Sequence, residues 1–301
     1  MKIVKLNEEH TQAAAKLCRE TMLLDIMPDY LFKEKVFKDK DYNPDLNLLA
    51  FNDEDELVGL ISGVIRDREY EKVGYIKLLC IKEKDRKKGI GSALYEQVEK
   101  KFIDANVNII RVNESYPNYL SPGIDYQYAE CICFFESRGF NKFNKTCNMN
   151  VDLLSEDFSG LEDEIKNIAD VKFIRGDESY REKIINFVKS YFSSWAEEVD
   201  ESFLNKPVTL FAALNNEDEV VGFSTHENNN KGIGWFGPTG VRADYRKKGL
   251  GRILFRSSLR DMKEMGYVKA IIPWVGPEHF YEKNSNAVVM RTFWRYEKVL
   301  K

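Results

Sequence analysis

The sequence has few of the residues that build disulfide frameworks and metal sites. Its 301 residues include three histidines and five cysteines, and all five cysteines lie in the first half of the chain. The closest two, Cys131 and Cys133, stand one residue nearer together than a C-x-x-C ligand pair. An odd number of cysteines and scattered histidines favour neither a set of disulfides nor a zinc centre. We therefore expect no bound metal.

Long apolar runs and a strong net charge are also missing. No run approaches the 18 apolar residues of a membrane-spanning helix, and residues 1–5 are strand-like, without the apolar core of a signal peptide. Lysine and arginine number 45 against 49 aspartates and glutamates, a net charge of −4. This balance is not typical of proteins that bind nucleic acids or membrane surfaces. We expect a cytoplasmic protein, monomeric or homodimeric, that binds neither.

Two short basic runs with the pattern R-K-K-G-[IL]-G stand out. Each follows an apolar strand-like run and precedes an amphipathic helix-like run. Glycines at these places allow several N–H groups to converge, and the first N–H groups of a helix have no partner within the helix. Together with the helix dipole, such a corner binds phosphate. The first run is Arg86, Lys87, Lys88, Gly89, Ile90 and Gly91, and the second is Arg246, Lys247, Lys248, Gly249, Leu250 and Gly251.

Two familiar phosphate motifs are excluded by the residues around these runs. A dinucleotide fingerprint needs a third glycine three residues after the second, but Leu94 and Leu254 stand there. The Gly-Lys-Ser/Thr ending of a Walker loop is absent from the sequence. The ligand must therefore be another phosphate compound.

The two halves of the chain repeat one order of predicted elements. Arg86 and Arg246 are 160 residues apart, whereas Phe135 and Tyr281 are 146 apart. The difference of 14 roughly matches an insertion over residues 116–128. A duplicated fold explains both offsets. We expect a domain at residues 1–154, a linker at 155–169 and a second domain at 170–301.

The runs, with their strand and helix context, resemble motif A of the GNAT superfamily, the acyl-CoA-dependent N-acyltransferases. The Phe-Phe and Phe-Tyr pairs at residues 134–135 and 280–281 also resemble a GNAT helix motif. The resemblance implies two α/β domains, each a splayed mixed β-sheet flanked by helices, with acetyl-CoA as cofactor. It implies that both glycine loops hold the pyrophosphate of coenzyme A. It also assigns pantetheine binding to the fourth strand of each copy, at Leu79, Cys80 and Ile81 and at Thr239, Gly240 and Val241.

The resemblance implies different catalytic roles for the two copies. Tyr281 would donate a proton to the departing thiolate, and the Val241 N–H, at a bulge of the fourth strand, would polarise the thioester carbonyl. Phe135 has no proton to give, so we expect the first copy to be catalytically degenerate and the second to be the catalyst. Glu197, Glu198 and His226 are candidate bases.

The resemblance implies an N-acetyltransferase that moves an acetyl group directly from acetyl-CoA to a primary amine of a small molecule or peptide. Two alternatives stay open at this point. One is a non-catalytic protein that binds or senses acyl-CoA, and the other is transfer of a longer acyl group or of an aminoacyl group.

Overall fold

A computed structural model describes residues 1–300 of the chain. The elements of the first half are β1 (Lys2–Lys5), α1 (Thr11–Thr21), α2 (Asp29–Lys35), β2 (Asn47–Phe51), β3 (Leu57–Asp67), β4 (Lys72–Ile81), α3 (Ile90–Asp104), β5 (Ile109–Val112), β6 (Ile124–Asp125), α4 (Ala129–Glu136) and β7 (Asn141–Asp152). Those of the second half are α5 (Leu161–Lys166), β8 (Val171–Arg175), α6 (Glu178–Tyr191), α7 (Ala196–Asp200), β9 (Leu210–Asn215), β10 (Val220–His226), β11 (Phe236–Val241), α8 (Leu250–Glu264), β12 (Lys269–Ile272), α9 (Glu278–Asn284) and β13 (Val288–Val299).

The chain forms two compact units. One contains residues 1–146 together with the described residues from Phe293 onward, and the other contains residues 147–292. The predicted contiguous bounds, 1–154 and 170–301, differ from this division because β7 and β13 each run from one unit into the other. The domain bounds 1–154 and 170–301 stay a prediction.

The sheet of the first unit is antiparallel from β1 through β4 and then gains a parallel strand. β4 pairs with β5 over residues 73–76 only, and its last residues, 77–81, continue past the end of that pairing. The C-terminal part of β13 pairs antiparallel with β5, from Glu297 opposite Arg111 to Val299 opposite Ile109. Helix α3 covers one face through an apolar stripe that includes Leu94, Val98 and Phe102.

The second unit repeats this architecture. Strands β8, β9, β10 and β11 form an antiparallel sheet, and β12 pairs antiparallel with the later residues of β7. Between β11 and β12 the structure has a single parallel bridge, from Trp235 to Ile271. Both units therefore show the predicted mixed sheet that opens after its fourth strand. The fold class is confirmed.

Residues 155–169, predicted as a linker, are ordered within the second unit. They contain α5, and a ladder of ion pairs fastens the segment to α8. Arg252 lies 2.7 Å from Glu164, Arg256 lies 3.4 Å from Glu156, and Arg260 lies 2.5 Å from Glu162. The three arginines are spaced four residues apart, so they share one face of the helix.

A buried cluster of charges supports the first unit. Asp39 bonds both terminal nitrogens of Arg66, at 2.6 and 2.7 Å, and also accepts a hydrogen bond from Lys77 on β4. All three side chains are at most 4% exposed. Burial alone would raise the pKa of Asp39, but Lys77 and Arg66 outweigh it and lower that pKa to about 2. The carboxylate thus offsets two buried cations.

We expect Asp39→Asn to lower the free energy of unfolding by about 3 kcal/mol at pH 7, because buried Lys77 loses its carboxylate partner and buried Arg66 keeps only the partly exposed Asp41. A carboxyl whose pKa is lowered on folding contributes stability above its unfolded pKa of about 4, and that contribution is lost as the pH falls toward 2. The difference between variant and wild type should therefore shrink over that range. Urea unfolding at several pH values measures it. Asp53→Asn, at an exposed ion pair, is the control, and equal stability of the two variants at pH 7 would contradict the role of Asp39.

The described helices include none that is both long enough and apolar enough to cross a lipid bilayer. Within residues 1–300 no three or more His, Cys, Asp or Glu side chains converge in a way that could hold a metal ion.

Candidate coenzyme site

The two glycine loops have the same backbone conformation. Lys87 and Lys247 have φ of 61° and 63°. Gly89 and Gly249, the residues that precede α3 and α8, have φ/ψ of 84°/−5° and 90°/−11°. Positive φ at both glycines is a conformation that side chains rarely adopt. The duplication predicted from the 160-residue offset therefore extends to individual torsion angles.

Each loop leads into a helix whose first turn has no side-chain cap. The first helical residues, Ile90 and Leu250, are buried and anchor the helix starts. Gly91 and Gly251 each lie next to an aromatic ring. A Cβ on Gly91 would be 3.2 Å from Phe134, and a Cβ on Gly251 would be 3.7 Å from Phe280. The N–H groups of both first turns are thus available to an anion.

The charges of the first loop are compensated. Glu130, in the first turn of α4, lies 2.7 Å from Arg86 Nη1 and 3.8 Å from Lys87 Nζ. Asp85 Oδ1 lies 2.8 Å from Lys88 Nζ. All three cations of this loop therefore have a carboxylate partner.

The cations of the second loop have no ion-pair partner in the described part of the chain, although Asp244 is close enough to Lys248 for this cation, after Arg242, to help lower the pKa of the Asp244 carboxyl. Arg246, Lys247 and Lys248 make no ion pair with any described residue. Arg246 Nε donates to the Val241 carbonyl at 3.1 Å, and Lys248 Nζ lies 4.5 Å from the centre of the Tyr245 ring. Tyr245 stands 160 residues after Asp85, at the position where the first loop has its acid. The second loop therefore keeps a net positive potential toward an anion.

The carboxylate that distinguishes the first loop from the second was not predicted from the sequence. Glu130 stands 44 residues after Arg86, and the 146-residue offset places Gly276 at its position in the second half. Aligning the two halves by this offset would have shown the difference, because Glu130 in the first half corresponds to a glycine in the second.

The end of β11 presents alternate backbone groups to the side away from β10. Arg242 N bonds Val221 O at 2.8 Å, and the register pairs Val241 with Gly222 and Thr239 with Ser224. In an antiparallel ladder, hydrogen-bonded and non-hydrogen-bonded pairs alternate. The N–H groups of Thr239 and Val241 therefore point toward the open side of the sheet.

The end of β4 in the first unit follows the same rule. Lys82 N bonds Val58 O at 2.9 Å, so the backbone groups of Leu79 and Ile81 point away from β3. Ile81 O accepts a 3.3 Å hydrogen bond from Arg86 Nε, as Val241 O does from Arg246. Each loop arginine thus ties its loop to the end of the preceding strand.

Cys80 and Gly240 were also predicted to bind pantetheine, but their backbone groups point toward the neighbouring strand and not toward the open side of the sheet. Their backbones lie in the hydrogen-bonded pairs with β3 and β10. The ring of Phe192 reaches 2.7 Å from the position that a Cβ on Gly240 would take. The lack of a side chain at Gly240 is thus required by packing.

The bulge of the fourth strand lies at Gly237 and Pro238. The register with β10 shifts between Ser224 and His226. In the first unit the corresponding shift leaves Lys77 without a residue opposite. The expectation that Val241 sits at the bulge is wrong, because Pro238, which cannot donate to a ladder, places the irregularity three residues earlier.

Tyr281 on α9 has a buried ring and a hydroxyl that makes no hydrogen bond with any described residue. The side chain is 8% exposed and packs edge-on against Phe255, Phe236 and Phe280, with ring centroids 5.2, 6.3 and 5.1 Å away. Burial raises the pKa of Tyr281 to about 12. The hydroxyl is therefore protonated at neutral pH and available as a donor.

Phe135 occupies the corresponding place in the first unit. It is fully buried and packs edge-on against Phe134 and Phe140, with ring centroids 5.3 and 5.0 Å away. The difference between the two copies is therefore one hydroxyl group within similar aromatic surroundings.

His226, a candidate base, lies in the core beneath α8. It is fully buried, and Nε2 is 2.9 Å from Asp261 Oδ2, which is also paired with Arg175. Burial opposes ionisation of Asp261, but His226 and Arg175 outweigh it and lower its pKa to about 2. This placement argues against His226 as a base. Glu198 is 6% exposed and Glu197 is exposed, both on α7.

Solved structures with the same fold cover nearly the whole chain. The GCN5-related glucosamine N-acetyltransferase region of a fungal multi-domain GH3 beta-N-acetylglucosaminidase matches 99% of this chain with a TM-score of 0.84 and 16% identity. This chain spans 38% of that protein's length.

Two further structures match over both chains. A GCN5-related N-acetyltransferase from Sphaerobacter thermophilus has a TM-score of 0.74 and 14% identity, with 99% of this chain and 95% of that one covered. A tandem GNAT protein from the clavulanic acid biosynthesis pathway has a TM-score of 0.68 and 14% identity, with coverages of 99% and 98%. At these identities the likeness concerns the fold.

The comparison with curated proteins gave no significant match. The family described as "Acetyltransferase (GNAT) family" matches twice, at residues 16–120 and 177–285, which together make up more than half of the chain. One match contains the first glycine loop and the other contains the second. The chain therefore belongs to the GNAT acetyltransferase family and carries two GNAT domains.

Proposed function

We propose that the protein is an acetyl-CoA-dependent N-acetyltransferase and that its second unit is the catalyst. The observation that carries this proposal is the combination found in the second unit. A cationic loop without ion pairs among the described residues, free N–H groups on β11 and a protonated tyrosine hydroxyl without a partner occur there together. In the first unit the cations are compensated and the tyrosine is replaced by Phe135.

The residues of the second unit fit coenzyme A. Gly249 leaves room for a phosphate at the start of α8, while Arg246, Lys247 and Lys248 supply positive charge beside it. The strand N–H groups of Thr239 and Val241 would pair with the amides of the pantetheine arm. The bound cofactor supplies an activated acetyl group as a thioester.

Val241 would act on the carbonyl oxygen of the thioester, and Tyr281 would act on its sulfur. The Val241 N–H would donate to the carbonyl oxygen, where negative charge develops as the acceptor amine attacks. Tyr281 would hold its proton until the C–S bond breaks and then transfer it to the sulfur. A well-placed general acid contributes roughly 10² to 10⁴ in rate.

A primary amine of a small molecule or peptide is the proposed acceptor. An assay with acetyl-CoA and a panel of amines tests the proposal, and the panel should include glucosamine, because one similar structure is described as a glucosamine N-acetyltransferase region. Acetylated product identified by mass spectrometry supports an enzyme. Coenzyme binding without any product would favour the non-catalytic alternative, and product only with longer acyl-CoAs would identify another donor.

We expect Glu130→Gln to strengthen coenzyme binding at the first loop by about two- to fivefold. Exposed ion pairs contribute about 0.2–1 kcal/mol, and the carboxylate competes with phosphate for Arg86 and Lys87. Calorimetry in a chain that also carries Gly249→Glu measures this loop alone. Glu96→Gln, at an exposed acid on α3 without an ion pair among the described residues, is the control. If both variants bind alike, Glu130 does not mask the loop.

A further inference from the structure

Two buried thiols of the first unit lie in contact. Cys18 on α1 and Cys80 on β4 are separated by 62 residues, and their Sγ atoms are 3.7 Å apart. Their side chains are 0% and 1% exposed, and both are free cysteines. Neither thiol has a role in the proposed acetyl transfer, so the chemistry of the pair is independent of that function.

The two thiols meet because successive side chains of a strand point to opposite faces of the sheet. Ile81 packs beside Ile90 and Leu94 of α3, as the surroundings of Gly59 show. Because neighbouring strand residues point to opposite faces, Cys80 points to the other face, where α1 brings Cys18. A disulfide has an S–S length of about 2.05 Å, so the sulfurs need to approach by roughly 1.7 Å. Side-chain rotation at two adjacent elements supplies movements of that size.

A cavity that is open to solvent lies between the end of α1 and the segment that follows β4, the two elements that carry the pair. The cavity has a volume of about 500 Å³ and is lined by Glu20, Thr21, Lys82, Glu83 and Lys84. Thr21 stands three residues after Cys18, and Lys82 stands two residues after Cys80. A small polar molecule in the cavity therefore contacts residues that are close in the sequence to both thiols.

We propose that Cys18 and Cys80 are a modification site, at which hydrogen peroxide converts the thiol pair into a disulfide. The Cys80 thiolate attacks the peroxide oxygen, the O–O bond breaks, and Cys80 becomes a sulfenic acid while hydroxide leaves and takes up a proton. The Cys18 sulfur then attacks the Cys80 sulfur, the S–O bond breaks, and a second water leaves with the Cys18 proton. One peroxide is reduced and two thiols are oxidised.

Cys80 is the better nucleophile of the two. Its hydrogen bond with Cys18 lowers the pKa of Cys80 despite burial, and the same contact raises the pKa of Cys18. The product would tie α1 to the end of β4, the strand that leads into the first glycine loop.

The test is hydrogen peroxide treatment of the full chain followed by alkylation in denaturant and non-reducing peptide mapping. We expect a peptide that links Cys18 to Cys80 and a fall from five alkylated thiols to three, restored by dithiothreitol. Cys133→Ser, at an exposed thiol, should keep the crosslink, whereas Cys18→Ser and Cys80→Ser should each lose it.

A second readout does not depend on the folding of any variant. The link closes a long loop, so the oxidised wild type should melt about 5 °C or more above the reduced protein. If Cys133 is oxidised while Cys18 and Cys80 stay reduced, or if Cys80 gains oxygen without a crosslink, the proposal is overturned.

Discussion

Tyr281→Phe is expected to lower kcat by well over tenfold and to leave the affinity for acetyl-CoA nearly unchanged. The substitution removes only the hydroxyl, and the ring contacts with Phe236, Phe255 and Phe280 are preserved. A departing thiolate without a proton donor loses the contribution of a general acid, roughly 10²- to 10⁴-fold. Steady-state kinetics with the best acceptor, together with a binding titration, separates the two effects.

The matched control removes a tyrosine hydroxyl from the first unit. Tyr95 is buried against Phe134 and Phe135, and its hydroxyl donates to Glu99 at 2.6 Å. Tyr95→Phe should leave kcat unchanged, since that hydroxyl already has a partner. If Tyr281→Phe also turns over at the wild-type rate, the proton donor is another group and the assignment of the catalytic unit loses its main support.

Gly249→Glu is expected to weaken acetyl-CoA binding by at least about 100-fold, and Gly89→Glu to leave it unchanged. At φ of 90° any side chain is strained, and a Cβ would lie 3.3 Å from Ile168. The new carboxylate would also place a negative charge at the start of α8, where the phosphate is proposed to sit. If the new side chain and the new negative charge each weaken binding by about 1.4 kcal/mol, the affinity for acetyl-CoA falls by a factor of about 100.

The two variants form a matched pair, because Gly89 has a similar φ of 84° with nothing within 4 Å of its Cβ position. Backbone strain is therefore comparable, and the difference between them reports on the ligand. Isothermal titration should give one tight coenzyme site per wild-type chain, one for Gly89→Glu, and only the weak binding of the first loop for Gly249→Glu. Two sites of similar affinity in the wild type, or loss of tight binding on Gly89→Glu, would contradict the assignment, and thermal melting checks that both variants are folded.

The sequence predicted the features that depend on neighbouring residues. The two glycine loops and the helices after them are set by local backbone preferences, which a glycine indicates directly. The internal duplication was visible because the offsets of Arg86 and Phe135 from their counterparts could be counted. The splayed sheets followed from the family resemblance and are present in both units.

Features that depend on distant residues were not predicted. Glu130 neutralises a loop 44 residues away, and nothing near Arg86 indicates that partner. The division of β7 and β13 between the units depends on strand pairing across the chain, which periodicity does not report. His226 was a candidate base because histidine titrates near neutral pH. In the structure its ring is buried next to Asp261.

The place of β13 has a consequence for biosynthesis. Residues 297–299 pair with β5, although nearly 200 residues separate them in the polypeptide. During translation the ribosome therefore releases β1 to β5 long before their last partner strand emerges. Until then one edge of β5 lacks its partner strand. Chaperones that bind nascent polypeptides would therefore protect this edge for most of the synthesis.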